Sequence, residues 1–186
     1  MTDTPHALKT IEALVDDIRR TEGCVVQPPR GVPCVRPGEA LGRELEEFYR
    51  ACGGLSLFAG SEYGVEIAGP ESFSRANLEI VGREVPDDLT DSWYVLARAP
   101  SGERLTIDCH PARVGRCHDS FWDSHGVRGS CPIIALSLPE LLSRLLAARG
   151  KHWYWLEDDW NGHGDAYAAR PVEGEGSRWG KTTNVG

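Results

Sequence analysis

Apolar residues recur at helical spacing in three stretches of the chain and at strand spacing between the second and third of them. From His6 to Arg20, Leu8, Ile11, Leu14, Val15 and Ile18 share one helical face, with Thr4-Pro5 as the start signal and Gly23 as the stop. Gln27 to Gly38 holds four prolines and two glycines, so it must be a loop or an extended segment. Beyond it, Leu41, Leu45, Phe48 and Cys52 form a second stripe that ends at Gly53-Gly54, where the missing Cβ atoms let the chain leave the helix. The third stripe is Leu138, Leu141, Leu142, Leu145 and Leu146, with Ser137 at its N-cap, Pro139 in its first turn and Gly150 at its stop.

Between these helices the period shortens. Leu55 to Phe58 and Tyr63 to Ala68 are short and β-like, and Pro70 to Val81 reads as a short helix entered at the proline and closed by Gly82. Trp93 to Ala99 and Glu103 to Cys109 are strands joined through Pro100-Ser101-Gly102, a loop of hairpin length with the required glycine. A further strand, Gly115 to Phe121, follows. The chain has no internal repeat, and Glu173 to Gly186 is Gly-rich and core-poor, so residues 1–170 read as a single domain and 171–186 as a loose tail.

The length of 186 residues and a hydrophobic content of 40% are enough for one domain with a real core. Twenty-eight acids against twenty bases give a formal charge of -8, which argues against direct binding of nucleic acid and suits a protein that attracts a basic partner. The N-terminus has charges spread through it and no apolar h-region, and no run approaches a membrane span, so the expected location is the cytoplasm, with no membrane contact. The six cysteines form no CxxC and are expected to be free, mostly buried thiols.

Candidate chemistry concentrates in IDCHPARVGRCHDSFWDSH, Ile107 to His125, where two Cys-His pairs suggest a zinc site. If Pro111 to Gly115 closes an antiparallel hairpin, Cys109 faces Cys117 and His110 faces Arg116. Alternation then puts Leu105, Ile107, Cys109, Cys117 and Phe121 on one side and Thr106, Asp108, His110, Arg116, His118 and Ser120 on the other. Thiols and imidazoles point apart, which excludes Cys2His2 coordination, and no metal or cofactor is expected. Asp108, His110 and His118 could form a carboxylate and two-histidine metal triad or an acid-base pair, but Arg116 beside them opposes a cation, and a solvated, hydrogen-bonded sheet face is the expectation. GxSxG, the P-loop, GxGxxG and HExxH are all absent from the sequence.

LGRELEEFYRACGGLSLF, YGVEIAGPESFSRANLEIVG, WYVLARAPSGERLTIDCHP with its continuation to ALSLPELLSRLL, and YWLEDDWNGHGDAY, in that order, resemble a bacterial member of the SUKH superfamily, named for fungal cell-wall-assembly regulators. The resemblance spans about residues 39–168 and lies in patterns of fold, not of catalysis. It implies an α+β domain with a mostly antiparallel sheet and helices packed on it, acting by binding proteins. Many bacterial members are immunity proteins that neutralise toxin domains, often nucleases, of polymorphic toxin systems. That implies a non-enzymatic protein whose partner is a cognate toxin, and a basic nuclease groove would suit the acidic charge. The alternatives are an enzyme or metal protein built on Asp108, His110 and His118, and a housekeeping regulator with no toxin partner.

Two stretches have the composition of a contact surface. Trp153, Tyr154, Trp155, Glu157, Asp158, Asp159 and Trp160 place four aromatics and three acids in eight residues, although the aromatics could equally cap the core behind the last helix. Asp119, Trp122, Asp123 and His125 follow the hairpin, where a tryptophan among polar residues is expected to stay partly exposed. The partner-binding candidates are therefore Asp119, Trp122, Asp123, Glu157, Asp158, Asp159 and Trp160. Asp87, Asp88 and Asp91 read as a turn.

Overall fold

The structure of the protein, a computed structural model, describes residues 9–168. Thr10 opens the first helix, α1 (Ile11–Arg20): its hydroxyl accepts from the Ala13 N–H at 3.3 Å. The helix thus begins later than the Thr4-Pro5 signal suggested, because a capping oxygen satisfies an otherwise orphaned donor at Thr10. Thr4-Pro5, Leu8 and the expected tail 171–186 lie outside the described residues. The second stripe becomes α2 (Arg43–Ala51), and a short α3 (Ala76–Ile80) follows the middle of the chain. In α4 (Leu138–Ala148) the expected cap is present: Ser137 Oγ accepts from the Glu140 N–H at 3.3 Å, while Glu140 Oε2 accepts from the Leu136 N–H at 2.9 Å.

The strands are β1 (Cys24–Val26), β2 (Leu55–Leu57), β3 (Val65–Ile67), β4 (Ser74–Arg75), β5 (Trp93–Arg98), β6 (Arg104–Asp108), β7 (Cys117–Ser120) and β8 (Ile133–Ala135). They form one antiparallel sheet in the order β1-β2-β3-β5-β6-β7-β8, with β4 also paired to β5. This is the α+β architecture expected, with β1 and β8 added. The segment Pro70 to Val81 is not one helix. Pro70–Ser72 makes a 3-10 turn, Phe73 stacks on Tyr94 at 4.9 Å, and Ser74 and Arg75 pair with β5 before α3 begins. Stacking and ladder bonds at Phe73 to Arg75 win over helical propensity.

The β6–β7 register also differs from expectation. Cys117 faces Ile107, two positions before Cys109, and His118 faces Thr106. The loop is longer because the Asp108 N–H donates to Arg116 O and the Gly115 N–H donates to Asp108 O, both at 2.9 Å, with Gly115 at a φ of 91°. Cys109 leaves the ladder and donates its N–H to Ser92 O instead, while its carbonyl accepts from the Ala40 N–H. A shift of two residues preserves which side each side chain takes, so the expected faces survive.

One face carries the main core, where α1, α2 and α4 lay Leu14, Ile18, Phe48, Leu141 and Leu142 against Leu57, Ile67, Leu96 and Ile107. The other face was expected to be solvated and is not. Thr106, Asp108, His118 and Ser120 are buried there, beneath a second, smaller layer of Ala76, Trp93, Val95 and Cys131 with Asn77, Thr90 and His125. Trp93 and α3 cover what alternation alone suggested was a wet surface.

Phe48 and Leu142 are wholly buried in the main core. Phe48→Ala or Leu142→Ala should each lower the unfolding free energy by ~2–5 kcal/mol in urea denaturation. A loss below ~1 kcal/mol at both positions would contradict this account of the core.

Candidate protein-binding surface

The polar residues of the second face are held mainly by hydrogen bonds and ring packing. Asp108 is 1% exposed, and its carboxylate accepts from Ser92 Oγ at 2.7 Å, the His110 N–H at 2.8 Å and Arg113 Nε at 2.7 Å. Both oxygens of that carboxylate are thus engaged by the hairpin and the start of β5. His110 sits in the turn, where its Nδ1 accepts from the Ala112 N–H at 3.1 Å. His118 lies flat on Trp93, ring centroids 3.9 Å apart and planes within 6°. Asp108, His110 and His118 therefore do not converge, and among the described residues no three metal-ligating groups come together. Cys109 and Cys117 face the main core, on the opposite side from these histidines.

Burial dominates the titration of this layer. The His118 pKa falls from 6.5 to about 3, chiefly because burial penalises the charged ring and secondarily because Arg116 and Arg113 repel it. His125 falls to about 4 by burial, partly offset by Asp88. Among the described residues neither ring nitrogen of His118 has a hydrogen-bond partner, and Trp93 Nε1, Asn77 Nδ2 and His125 Nδ1 are similarly unpaired.

On the main-core side, the aromatic run after α4 splits into buried and exposed halves. Trp153, Tyr154 and Trp155 cap the core: Trp153 stacks on Trp155 at 5.4 Å, Trp153 Nε1 donates to Tyr63 O at 3.1 Å, and Tyr154 OH donates to Ile134 O at 2.6 Å. A 3-10 turn, Tyr154–Leu156, then swings Leu156, Glu157, Asp158 and Asp159 into solvent, with Trp160 half-buried edge-on to Tyr154. Glu157 Oε1 pairs with His152 Nε2 at 3.1 Å. Arg144, Tyr154, Glu157, Asp159, Trp160 and His163 border a cleft there, with the Arg144 guanidinium 5.1 Å over the Tyr154 ring.

The second stretch meets the first through one bond. Asp119 points to the main-core side, and its Oδ2 accepts from Trp155 Nε1 at 2.9 Å. Burial raises the Asp119 pKa, with that hydrogen bond opposing the rise. Asp119 is thus the link between β7 and the acidic turn rather than an outward-facing charge. Past it, Trp122 is 71% exposed and Asp123 is exposed, while His125 is buried in a T-shaped contact with Trp93. Asp87, Asp88 and Asp91 do form a turn: Asp88 Oδ1 accepts from the Thr90 N–H at 2.8 Å, and Asp91 is held by Arg36 and Arg75. Sequence reading missed Arg113, Asn77 and Thr90 as network members: Asn77 meets Thr90 and His125 from far along the chain, and the Arg113 pairing with Asp108 depends on the shape of the turn, which no spacing signals.

Fold and surface together define an α+β protein with an acidic and aromatic rim, and no group of three metal-ligating side chains converges among its described residues. No helix among those residues is long and apolar enough to cross a membrane. No family model matches the chain, and no solved structure matches it. The chain is 39% identical, over 164 residues, to immunity protein YokJ of Bacillus subtilis (strain 168); the match covers 88% of this chain and 99% of that relative. The chain belongs to the family of that immunity protein.

The buried histidines fix a pH dependence. Both take up protons more readily unfolded, so their contribution is fully present above the ordinary value of 6.5 and is lost as pH falls from there toward about 4 for His125 and about 3 for His118. In His118→Phe, which keeps a flat ring on Trp93, the loss of unfolding free energy between about pH 7.5 and about pH 5 should shrink, leaving the His125 share. An unchanged loss in urea titrations at the two pH values would contradict the buried, neutral His118.

Proposed function

We propose that this protein neutralises a cognate toxin by binding it, without catalysis, in the bacterial cytoplasm. The observation that carries the reading is the near end-to-end match to a protein named as an immunity protein. The formal charge of -8 supports a basic target, and a nuclease domain of a polymorphic toxin fits because its phosphate-binding groove must be basic. Helix, Gly-Gly stop, antiparallel sheet and late capped helix occur in the order that the SUKH resemblance implies, and we extend the proposal to membership of that superfamily.

The contact surface in this reading comprises Trp122, Asp123, Glu157, Asp158, Asp159 and the edge of Trp160, with Asp119 joining the two stretches beneath. Trp122 is a large apolar group that folding leaves in water, the arrangement of an anchor awaiting a pocket. Asp158 and Asp159 have no ion-pair partner among the described residues, so their field is available to an approaching cationic surface.

The test is binding to the toxin domain encoded beside this gene. Neutralising Glu157, Asp158 and Asp159 together to Gln and Asn should slow association by about tenfold at low salt and flatten its salt dependence. Trp122→Ala should weaken binding by at least ~2 kcal/mol, mainly through dissociation, and leave the melting temperature near wild type. Binding indifferent to salt and to all four substitutions would remove this surface, and absence of any toxin binding would remove the immunity reading.

A further inference from the structure

We infer that His125, Asn77 and Thr90 form a buried fastening that holds the loop after β7 rigid, so that Trp122 is displayed to the toxin in a pre-formed position. This rests on the immunity reading for its partner, and on the loop's own geometry for the fastening.

The loop folds as a tight turn around one carbonyl. Phe121 O accepts from the Ser124 N–H at 3.1 Å, the His125 N–H at 2.8 Å and Ser124 Oγ at 3.3 Å. The Trp122 peptide is thus bracketed by Phe121 before it and by Ser124 and His125 after it. At the crown of this turn Trp122 is 71% exposed, while at its end His125 is 8% exposed. An immobilised turn with one large ring in water and the other end buried is the form of a display element.

His125 is what ties the turn to the sheet. Its Nε2 lies 2.9 Å from Asn77 Oδ1, Thr90 Oγ1 lies 3.0 Å from that same oxygen and 2.6 Å from Asp88 Oδ1, and the His125 and Trp93 rings meet edge-on at 5.7 Å. Asn77 belongs to α3 and Trp93 to β5, so the loop is fastened to two elements remote from it in sequence. Burial holds the His125 pKa down, to about 4. The far end of the loop is also held: the Val127 N–H donates to Ser124 O, the Ser130 N–H to Val127 O, and the Cys131 N–H to Asp165 Oδ2 at 2.8 Å.

The physical consequence is preorganisation. A tryptophan on a mobile loop must lose its freedom when a partner binds, and that loss subtracts from affinity. Here the loss has been incurred during folding. His125, Asn77 and Thr90 touch no partner in this scheme and act through Trp122, so they are positioning residues.

A double-mutant cycle with a partner-free arm tests this. In the wild-type protein the amides of His125, Val127 and Ser130 should exchange hydrogen at least about 100-fold more slowly than unprotected amides; exchange at the free rate overturns the fastening. His125→Phe keeps a ring against Trp93 and removes the bond to Asn77, and should speed those amides by about tenfold while β6 amides are unchanged. The same variant should weaken binding of the neighbouring toxin domain by about tenfold, but by less than about twofold when Trp122→Ala is already present. Asn77→Leu should behave alike and serves if His125→Phe unfolds. A binding loss of equal size with and without Trp122 overturns the display role. If the toxin fails to bind even the wild-type protein, the immunity reading and the display role fall together, while the exchange arm still decides whether the fastening exists.

Discussion

A sheet covered on both faces loses stability for each polar group it buries unpaired, and the Asp108 carboxylate is where this protein avoids that loss. At 1% exposure an unpaired carboxylate would cost several kcal/mol, which Ser92, the His110 amide and Arg113 together prevent. Those bonds also shape the hairpin. Arg113 and His110 belong to the turn, so pairing with Asp108 bends the turn back over the end of β6 and makes it longer than a symmetric Cys109–Cys117 pairing would allow. Ser92 joins the start of β5 to the same point. The start of β5, the end of β6 and the turn that leads to β7 are thereby tied at one point as well as by the ladder.

The position of the second layer follows from that fixed sheet. Trp93 lies opposite Asp108 in the ladder and so projects on the same side, over His118. The large ring shields the histidine from water and leaves its nitrogens unpaired, a cost that the stacking and burial of Trp93 must offset. The same ring makes the T-shaped contact with His125, so the sheet's least polar-satisfied region is also the seat of the loop that carries Trp122. On the opposite side, Asp119 to Trp155 connects that loop's strand to the acidic turn. Two surface stretches remote in sequence are therefore supported by neighbouring positions of one strand, β7.

The sequence made the long elements legible because their signals are redundant. In α4 the apolar stripe, Ser137, Pro139 and Gly150 all agree, and β5 and β6 combine β-rich composition with a glycine-bearing turn. β2 and β3 alternate apolar and polar within their three residues, LSL and VEI, whereas β1 and β8, CVV and IIA, do not, and become strands because a neighbour offers a ladder. The hairpin register escaped because parity cannot distinguish offsets of two, although parity did assign the faces of Ile107, Cys117, Thr106 and His118. The buried second face escaped because alternation reports polarity, not cover: Thr106, Asp108, His118 and Ser120 are polar, and only the placement of α3 and Trp93 encloses them. The exposure of Trp122 was legible from its polar neighbours, whereas the burial of Trp153, Tyr154 and Trp155 beside exposed acids needed the 3-10 turn to separate them.

Hydrogen exchange of the protein alone and mixed with the toxin domain that the proposed immunity function expects beside its gene tests the central claim most directly, since it locates the interface without altering any residue. The account predicts slowed exchange on binding in residues 119–131 and 152–163, with the turn around His110 and Arg113 unchanged. Slowing confined to the His110 and Arg113 turn and to the cleft beside Arg36 and Asp91, with both predicted stretches unaffected, would contradict it.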